Sequence, residues 1–284
     1  IGAAFRNAFG IPPLVVGVLV AAAAGFVFLG GVQRIASVTE KIVPVMALFY
    51  IIGAFLIIAV NFRRIPDAFA QIFTGAFSPQ ALAGGAMGIT VQKAIRFGVA
   101  RGLFSNEAGM GSTPHAHAVA KVKNPCDQGV VAMMGVFIDT FVILTLTALV
   151  VLVTGVLPRG YAGELQGVDL TQAGFETMFG RGGTVFIAVC MLFFAFSTII
   201  GWYFFGEVNI RSLFGKKGVK VYALLVCIFV AVGSTLKVDL VWSLSDTFNG
   251  LMVIPNLISL LSLSNTVSRL YQAYRRPKQI QEAS

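Results

Sequence analysis

The sequence predicts an all-α integral membrane protein, on three observations. Apolar residues make up 57% of the 284 positions and charged residues 12%, about half the roughly 25% charged content of an ordinary soluble domain. The apolar residues gather into runs close to the roughly 20 residues a helix needs to cross the hydrocarbon core. The lysines and arginines behind the net charge of +9 fall between those runs rather than along one face, as they do in loops beside membrane spans. The expected partner is therefore a lipid bilayer and not nucleic acid.

Taken in order, the runs at 12–30 and 42–61 read as spanning helices. "IPDAFAQIFTGAF" at 65–77 is too short to cross. Its Ile65, Phe69, Ile72, Phe73 and Phe77 recur at helical spacing and Pro66 suits a first turn, so it predicts a helix lying in the interface. The segment 80–100 is long enough to cross, yet it carries Gly84, Gly85, Gly88, Gln92, Lys93 and Arg96. Basic residues concentrate on one side whether or not it crosses, so charge asymmetry does not decide it. A glycine-interrupted helix has backbone groups that lipid cannot satisfy, and it is tolerated only against protein or water. Transporters use such breaks to present backbone groups and helix ends to substrate and ions. A re-entrant loop or a tightly packed helix accounts for the same residues.

The next stretch, "GLFSNEAGMGSTPHAHA" at 102–118, reads as turn-rich, with Asn106, Glu107 and Ser112 placed to satisfy loose backbone groups or cap the following helix. Apolar runs at 129–155, 183–206, 219–236 and 240–264 complete the spans, separated at 157–180 by a polar connector with an amphipathic stretch near 171–179. Cys126, Cys190 and Cys227 form no CxxC spacing, which suggests neither zinc nor a redox pair. His115 and His117 alternate without further ligands nearby, a weak pattern for a metal. The chain opens on Ile1 without a signal-peptide pattern, so the expectation is that a segment was removed or that it begins inside a longer protein.

Four blocks then carry a resemblance: "GGVQRIASVTEKIVPVMALFYIIGAFLIIAVNFRRIPDAF", "GVARGLFSNEAGMGSTPHAHAVAK", "GVFIDTFVILTLTALVVLVTG" and "FAFSTIIGWYFFGE". The chain is similar, over essentially its whole length, to the alanine or glycine:cation symporter family (AGCS), sodium:alanine symporter type. That resemblance implies a sodium-coupled amino-acid carrier with a LeuT-type core (APC superfamily), ten helices in two inverted repeats. The seven spanning segments resemble helices four to ten, with 80–100 as the broken sixth helix. Residues 65–77 would lie outside between helices five and six, 157–180 would be the outer loop between seven and eight, and 102–118 would be cytoplasmic. The first three helices have no counterpart before Ile1, and this chain alone is not expected to be a working carrier.

On that resemblance the Phe194 carbonyl with Ser197 and Thr198 would hold Na⁺, which favours several hard oxygens without a full charge. A Ser-Thr pair in a membrane helix also bonds back to its own backbone. Trp202, one turn after Thr198, would limit substrate size; an interfacial belt is the competing account. Gly84, Gly85, Met87 and Gly88 would expose amides and helix ends to the carboxylate and ammonium of an amino acid, or simply allow close helix packing.

Asp139 lies inside a span, where a carboxylate is costly and calls for a partner; Lys93, Arg96 and Arg101 are candidates, in a structural pair or a coupling role. Asp246 and Asn249 share a helix face as gate candidates, with the partner of Asp246 expected outside this chain. Asn106 and Glu107 would shape the inner gate.

The reading is therefore sodium-coupled symport of a small neutral amino acid, alanine or glycine, by alternating access. It places a multi-pass protein in the cell membrane, with no cofactor besides Na⁺ and no bond broken. The alternatives are a seven-helix receptor and a truncated, non-transporting fragment. A retinal-type receptor predicts a lysine in the last span, which 240–264 lacks. A membrane enzyme needs convergent carboxylates or a Ser-His arrangement within spans, and neither histidine lies in a clear span.

Overall fold

Helices follow one another through the chain with no strand among the described residues, which in this computed structural model are 1–77, 91–107 and 109–282. In order, those of eight residues or more are α1 (Gly2–Phe9), α2 (Pro13–Phe28), α3 (Gly31–Val60), α4 (Ile65–Phe77), α5 (Val91–Asn106), α6 (Pro125–Phe137), α7 (Thr145–Thr154), α8 (Val168–Phe179), α9 (Arg181–Gly233) and α10 (Val238–Glu282). A π-helical stretch, Ile138–Leu144, joins α6 to α7. The chain forms two units, Ile1–Val91 with Ile143–Val238, and Gln92–Val142 with Asp239–Ser284.

Among the described residues four helical runs are long and apolar enough to cross a membrane: Gly31–Val60, Pro125–Thr154, Arg181–Gly233 and Val238–Arg275; Pro13–Phe28 is a shorter apolar helix. Much of their apolar surface faces outward, including Leu48, Phe49, Ile52 and Phe55 on α3 and Ile254, Ile258 and Leu261 on α10. Apolar faces of this extent are stable against lipid, not water.

In the first unit, α2 starts on Pro12-Pro13, where a missing N–H costs nothing. At its other end Arg34 donates to the Phe26 carbonyl at 2.8 Å and lies over the Phe26 ring, satisfying one of the carbonyls a helix end leaves open. Helix α3 is longer than the 42–61 expected from hydropathy. It begins at Gly31 and runs through Pro44, because the polar turns before Pro44 carry good helix formers (Gln33, Arg34, Glu40, Lys41) that a hydropathy window discounts.

The two apolar runs 183–206 and 219–236 are the arms of one hairpin, α9. Gly215 breaks helical geometry at φ 67° and ψ −168°, a region open chiefly to glycine. Tyr203 and Tyr222 stack with ring centroids 5.4 Å apart, whereas 19 residues of straight helix would separate them by about 28 Å. The chain therefore reverses, and at Gly206 an added Cβ would strike the Tyr222 hydroxyl.

The expected outer loop 157–180 is not simply a surface connector. It contains α8, whose Phe175 is fully buried beside Ile57, Val150, Val153 and Ile187. Gly183 makes this docking possible, since a Cβ there would overlap the Phe175 carbonyl.

In the second unit, α5 takes in residues 91–100 of the expected 80–100 span, whose earlier part lies outside the described residues, and continues to Asn106, taking in five residues expected to be turns. Gly102 costs about 1 kcal/mol of helix stability, which the packing of Phe104 against Trp242, with ring centroids 5.5 Å apart, helps to offset.

Candidate functional site

The sodium candidates lie in the first arm of α9. Ser197 Oγ donates to the Phe194 carbonyl at 2.9 Å and Thr198 Oγ1 donates to the same oxygen at 3.0 Å. Three oxygens thus stand together on one turn, drawn there by ordinary i−3 and i−4 helix geometry. Neither hydroxyl spends its lone pairs in these bonds, so both remain acceptors. Rotating the two O–H groups away would leave the carbonyl with its helical bond from the Thr198 N–H and one lone pair open, giving three uncharged hard oxygens, the donor chemistry that alkali and alkaline-earth cations prefer.

Other groups pack beside this turn, whose Thr198 is exposed. The Met46 sulfur lies 4.0 Å from Ser197 Oγ, and Tyr50 sets its ring edge-on to Phe194 at 5.8 Å. The Tyr50 hydroxyl is 2.5 Å from Thr147 Oγ1. Thr147 gives its only hydrogen to the Ile143 carbonyl at 2.8 Å, so Tyr50 is the donor to Thr147. Sequence reasoning singles out neither Tyr50 nor Thr147; the one signal it holds for them is a hydroxyl inside an apolar run at Thr147. Trp202 is half-buried one turn beyond Thr198 and meets Phe205 edge-on.

In the second unit, Asp139 falls in the π-helical stretch, a local widening frequent at functional sites. Among the described residues Asp139 is bonded by a hydroxyl and not by Arg101, one of its three candidates from sequence: Ser105 Oγ donates to Asp139 Oδ2 at 2.6 Å, while the side chain of another candidate, Lys93, lies outside the described residues. Beside it Thr140 Oγ1 donates to Asn106 Oδ1 at 3.1 Å, and Asn106 Nδ2 donates to the Gly102 carbonyl. Two gate candidates, Asn106 and Asp139, are thereby brought to one place where the end of α5 meets the π-helical stretch.

Arg101 instead pairs with Asp246, correcting the expectation that the partner of Asp246 lay outside this chain. Nη1 reaches Oδ1 at 2.7 Å and Nη2 reaches Oδ2 at 3.3 Å, with the guanidinium 3.8 Å above the Trp242 ring. The pair lines a cavity of about 650 Å³ with Arg96, Asp239, Ser243 and Thr247. Asn249, half-buried one turn on, takes no part in it.

Glu107 ends α5 in the left-handed region at φ 50°, a conformation uncommon for residues other than glycine. Ser112, fully buried, donates to its carboxylate at 2.5 Å. Burial raises the carboxyl above its ordinary 4.5, against the opposing pull of the Ser112 hydrogen bond and His117. His115 Nδ1 lies 2.9 Å from the Ser112 carbonyl and must donate to it, and Gln128 donates to His117 Nδ1 at 2.9 Å. Gly111, at φ 80°, lets the turn approach Asn256 of α10, where a Cβ would stand 3.0 Å from that side chain. Glu107, Ser112, His115 and His117 thus form a largely self-satisfied knot. Gly84, Gly85, Met87 and Gly88 lie outside the described residues.

The family model described as "Sodium:alanine symporter family" matches residues 1–284. An uncharacterized transporter of Haemophilus influenzae is 43% identical over 265 residues, covering 93% of this chain and 58% of its own length. The sodium/alanine symporter AgcS of Methanococcus maripaludis is 41% identical over 264 residues, covering 93% and 57% respectively. The probable sodium/glutamine symporter GlnT of Bacillus subtilis is 41% identical over 276 residues, covering 97% and 56%. The chain spans somewhat more than half the length of these relatives.

Proposed function

The chain belongs to the sodium:alanine symporter family and is a membrane protein, and from that premise we propose that it serves sodium-coupled symport of a small neutral amino acid, alanine or glycine, across the cell membrane. The observation that carries the reading is the turn in which Ser197, Thr198 and the Phe194 carbonyl gather three oxygens within an apolar helix. Sodium bound there replaces two internal hydrogen bonds with cation–oxygen contacts, and it draws Tyr50 and Thr147 into the stability of the loaded state through Phe194.

The same proposal takes the fold as a LeuT-type core with multi-pass topology, this chain supplying helices four to ten and working by alternating access. In it α4 lies in the interface, supported by its exposed Phe69, Ile72 and Phe73. Residues 157–180 face outward and 102–118 face the cytoplasm. Trp202 limits the substrate side chain, and Gly84, Gly85, Met87 and Gly88 meet the substrate's charged ends. Asp139 with Asn106, and Asp246 with Arg101, hold gating contacts, while Glu107 orders the inner turn and Asn249 flanks Asp246.

The test is uptake of labelled alanine, as external sodium is varied, into vesicles holding this chain together with the helices one to three that the proposed core requires. Ser197→Ala and Thr198→Ala each raise the sodium concentration for half-maximal uptake roughly tenfold, the equivalent of about 1.4 kcal/mol for one lost oxygen ligand. Thr198→Ser keeps the hydroxyl and stays close to the parent protein. Unchanged sodium dependence in both alanine variants would sink the assignment.

A further inference from the structure

A second polar cleft lies in the first unit, away from the Phe194 turn. It holds about 470 Å³ and is lined by Asn7, Arg159, Asp169, Gln172, Glu176 and Arg181 among others. On α8 the positions 169, 172 and 176 recur at helical spacing and so share a face, while Phe175 anchors the helix in the core.

The floor of the cleft is built. Gln172 is 2% exposed and donates to the carbonyls of Ala4 and Thr184 at 3.1 and 3.0 Å. Asn7 donates to Gln172 Oε1 at 2.9 Å and to Asp169 Oδ1 at 2.7 Å. These bonds tie α1, α8 and the start of α9 together and hold the cleft's shape.

The walls carry two positive and two negative side chains. Arg159 is engaged with Glu164 at 3.3 Å and Asp169 with Asn7. Glu176 and Arg181 are different: they line the same cavity with opposite charge, yet among the described residues neither has an ion-pair partner. Two exposed charges of opposite sign lining one polar cleft, neither held in an ion pair, suit a ligand that carries both charges itself. Arg181 is the first residue of α9, so the positive end of that helix's dipole adds to its charge.

We infer that this cleft is a capture site for zwitterionic α-amino acids, with the carboxylate at Arg181 and the ammonium at Glu176. It rests on the proposed function in one respect, the placement of 157–180 on the outer face, where the cleft meets substrate before the central turn does. The cavity greatly exceeds a small amino acid and its charges are exposed, so binding is weak, wet, tolerant of side chain and sensitive to salt.

The experiment pairs alanine uptake with direct binding. In vesicles, Glu176→Gln and Arg181→Gln each raise the KM for alanine roughly two- to fivefold, the range expected for one exposed charge contact, with kcat unchanged. The exchange Glu176→Arg with Arg181→Glu recovers part of the loss. A KM that stays put in both single variants, or a fall in kcat alone, overturns the site.

Equilibrium binding of labelled alanine without sodium separates the two proposals. Loss of that binding in Arg181→Gln with retention in the Ser197→Ala/Thr198→Ala double variant supports the cleft even where sodium-coupled uptake fails. Equal binding in all variants, or none in the parent protein, removes the cleft and leaves the sodium assignment to the uptake data.

Discussion

Arg101 meets Asp246 at two points, Nη1 to Oδ1 at 2.7 Å and Nη2 to Oδ2 at 3.3 Å, with Trp242 beneath the guanidinium. Each side chain is one-third exposed, so solvent screens the pair, but fork-to-carboxylate geometry and stacking raise it above an ordinary surface contact. Arg101→Ala and Asp246→Ala should each cost about 1–2 kcal/mol in the unfolding of the purified protein. The double variant should cost clearly less than their sum, as residues in one network do. Arg101→Lys should recover only part, because an ammonium neither forks nor stacks flat. Strict additivity would show that the contact contributes nothing.

Substrate size is the second prediction. If Trp202 closes the pocket, Trp202→Ala makes room that a small substrate leaves empty and a larger one fills. The ratio of kcat/KM for alanine over glutamine should fall roughly tenfold or more, the range for a few methylenes in an apolar pocket. Competition between the two labelled amino acids measures it, and an unaltered ratio places the indole elsewhere.

The third concerns acidity. The Glu107 carboxyl is raised above its ordinary 4.5 mainly by burial. Its neutral form is therefore favoured by the fold: this contribution is complete below pH 4.5 and is lost as pH rises through the folded-state value. Glu107→Gln keeps an acceptor for Ser112 and removes the ionisation. The variant should match the parent near pH 4 and exceed it in melting temperature at neutral pH. A constant difference across that range would contradict the linkage.

A fourth tests close packing. Gly183→Ala places a methyl group on the Phe175 carbonyl, whereas at Gly201 in the same helix nothing stands within 4 Å of an added Cβ. Gly183→Ala should destabilise by about 1–3 kcal/mol, and Gly201→Ala should be neutral or stabilising by up to about 1 kcal/mol. Thermal unfolding of the two variants side by side checks the contrast without reference to transport.

The sequence by itself determined the membrane class, the main apolar runs and the family, because the length and polarity of a run are properties of the chain in one dimension. Helix α4 was legible from its 3.6-residue rhythm. So was the Phe194, Ser197 and Thr198 turn, whose contacts follow from i−3 and i−4 spacing alone. Only the tertiary structure decided which polar groups meet. Arg101 and Asp246 lie 145 residues apart and Ser105 and Asp139 lie 34 apart, and several acceptors stood open to each donor until the helices faced one another. The reversal at Gly215 and the burial of α8 were equally hidden. A lone glycine carries no mark of the dihedral it will adopt, and a polar connector shows its buried side only when a core is present to receive Phe175.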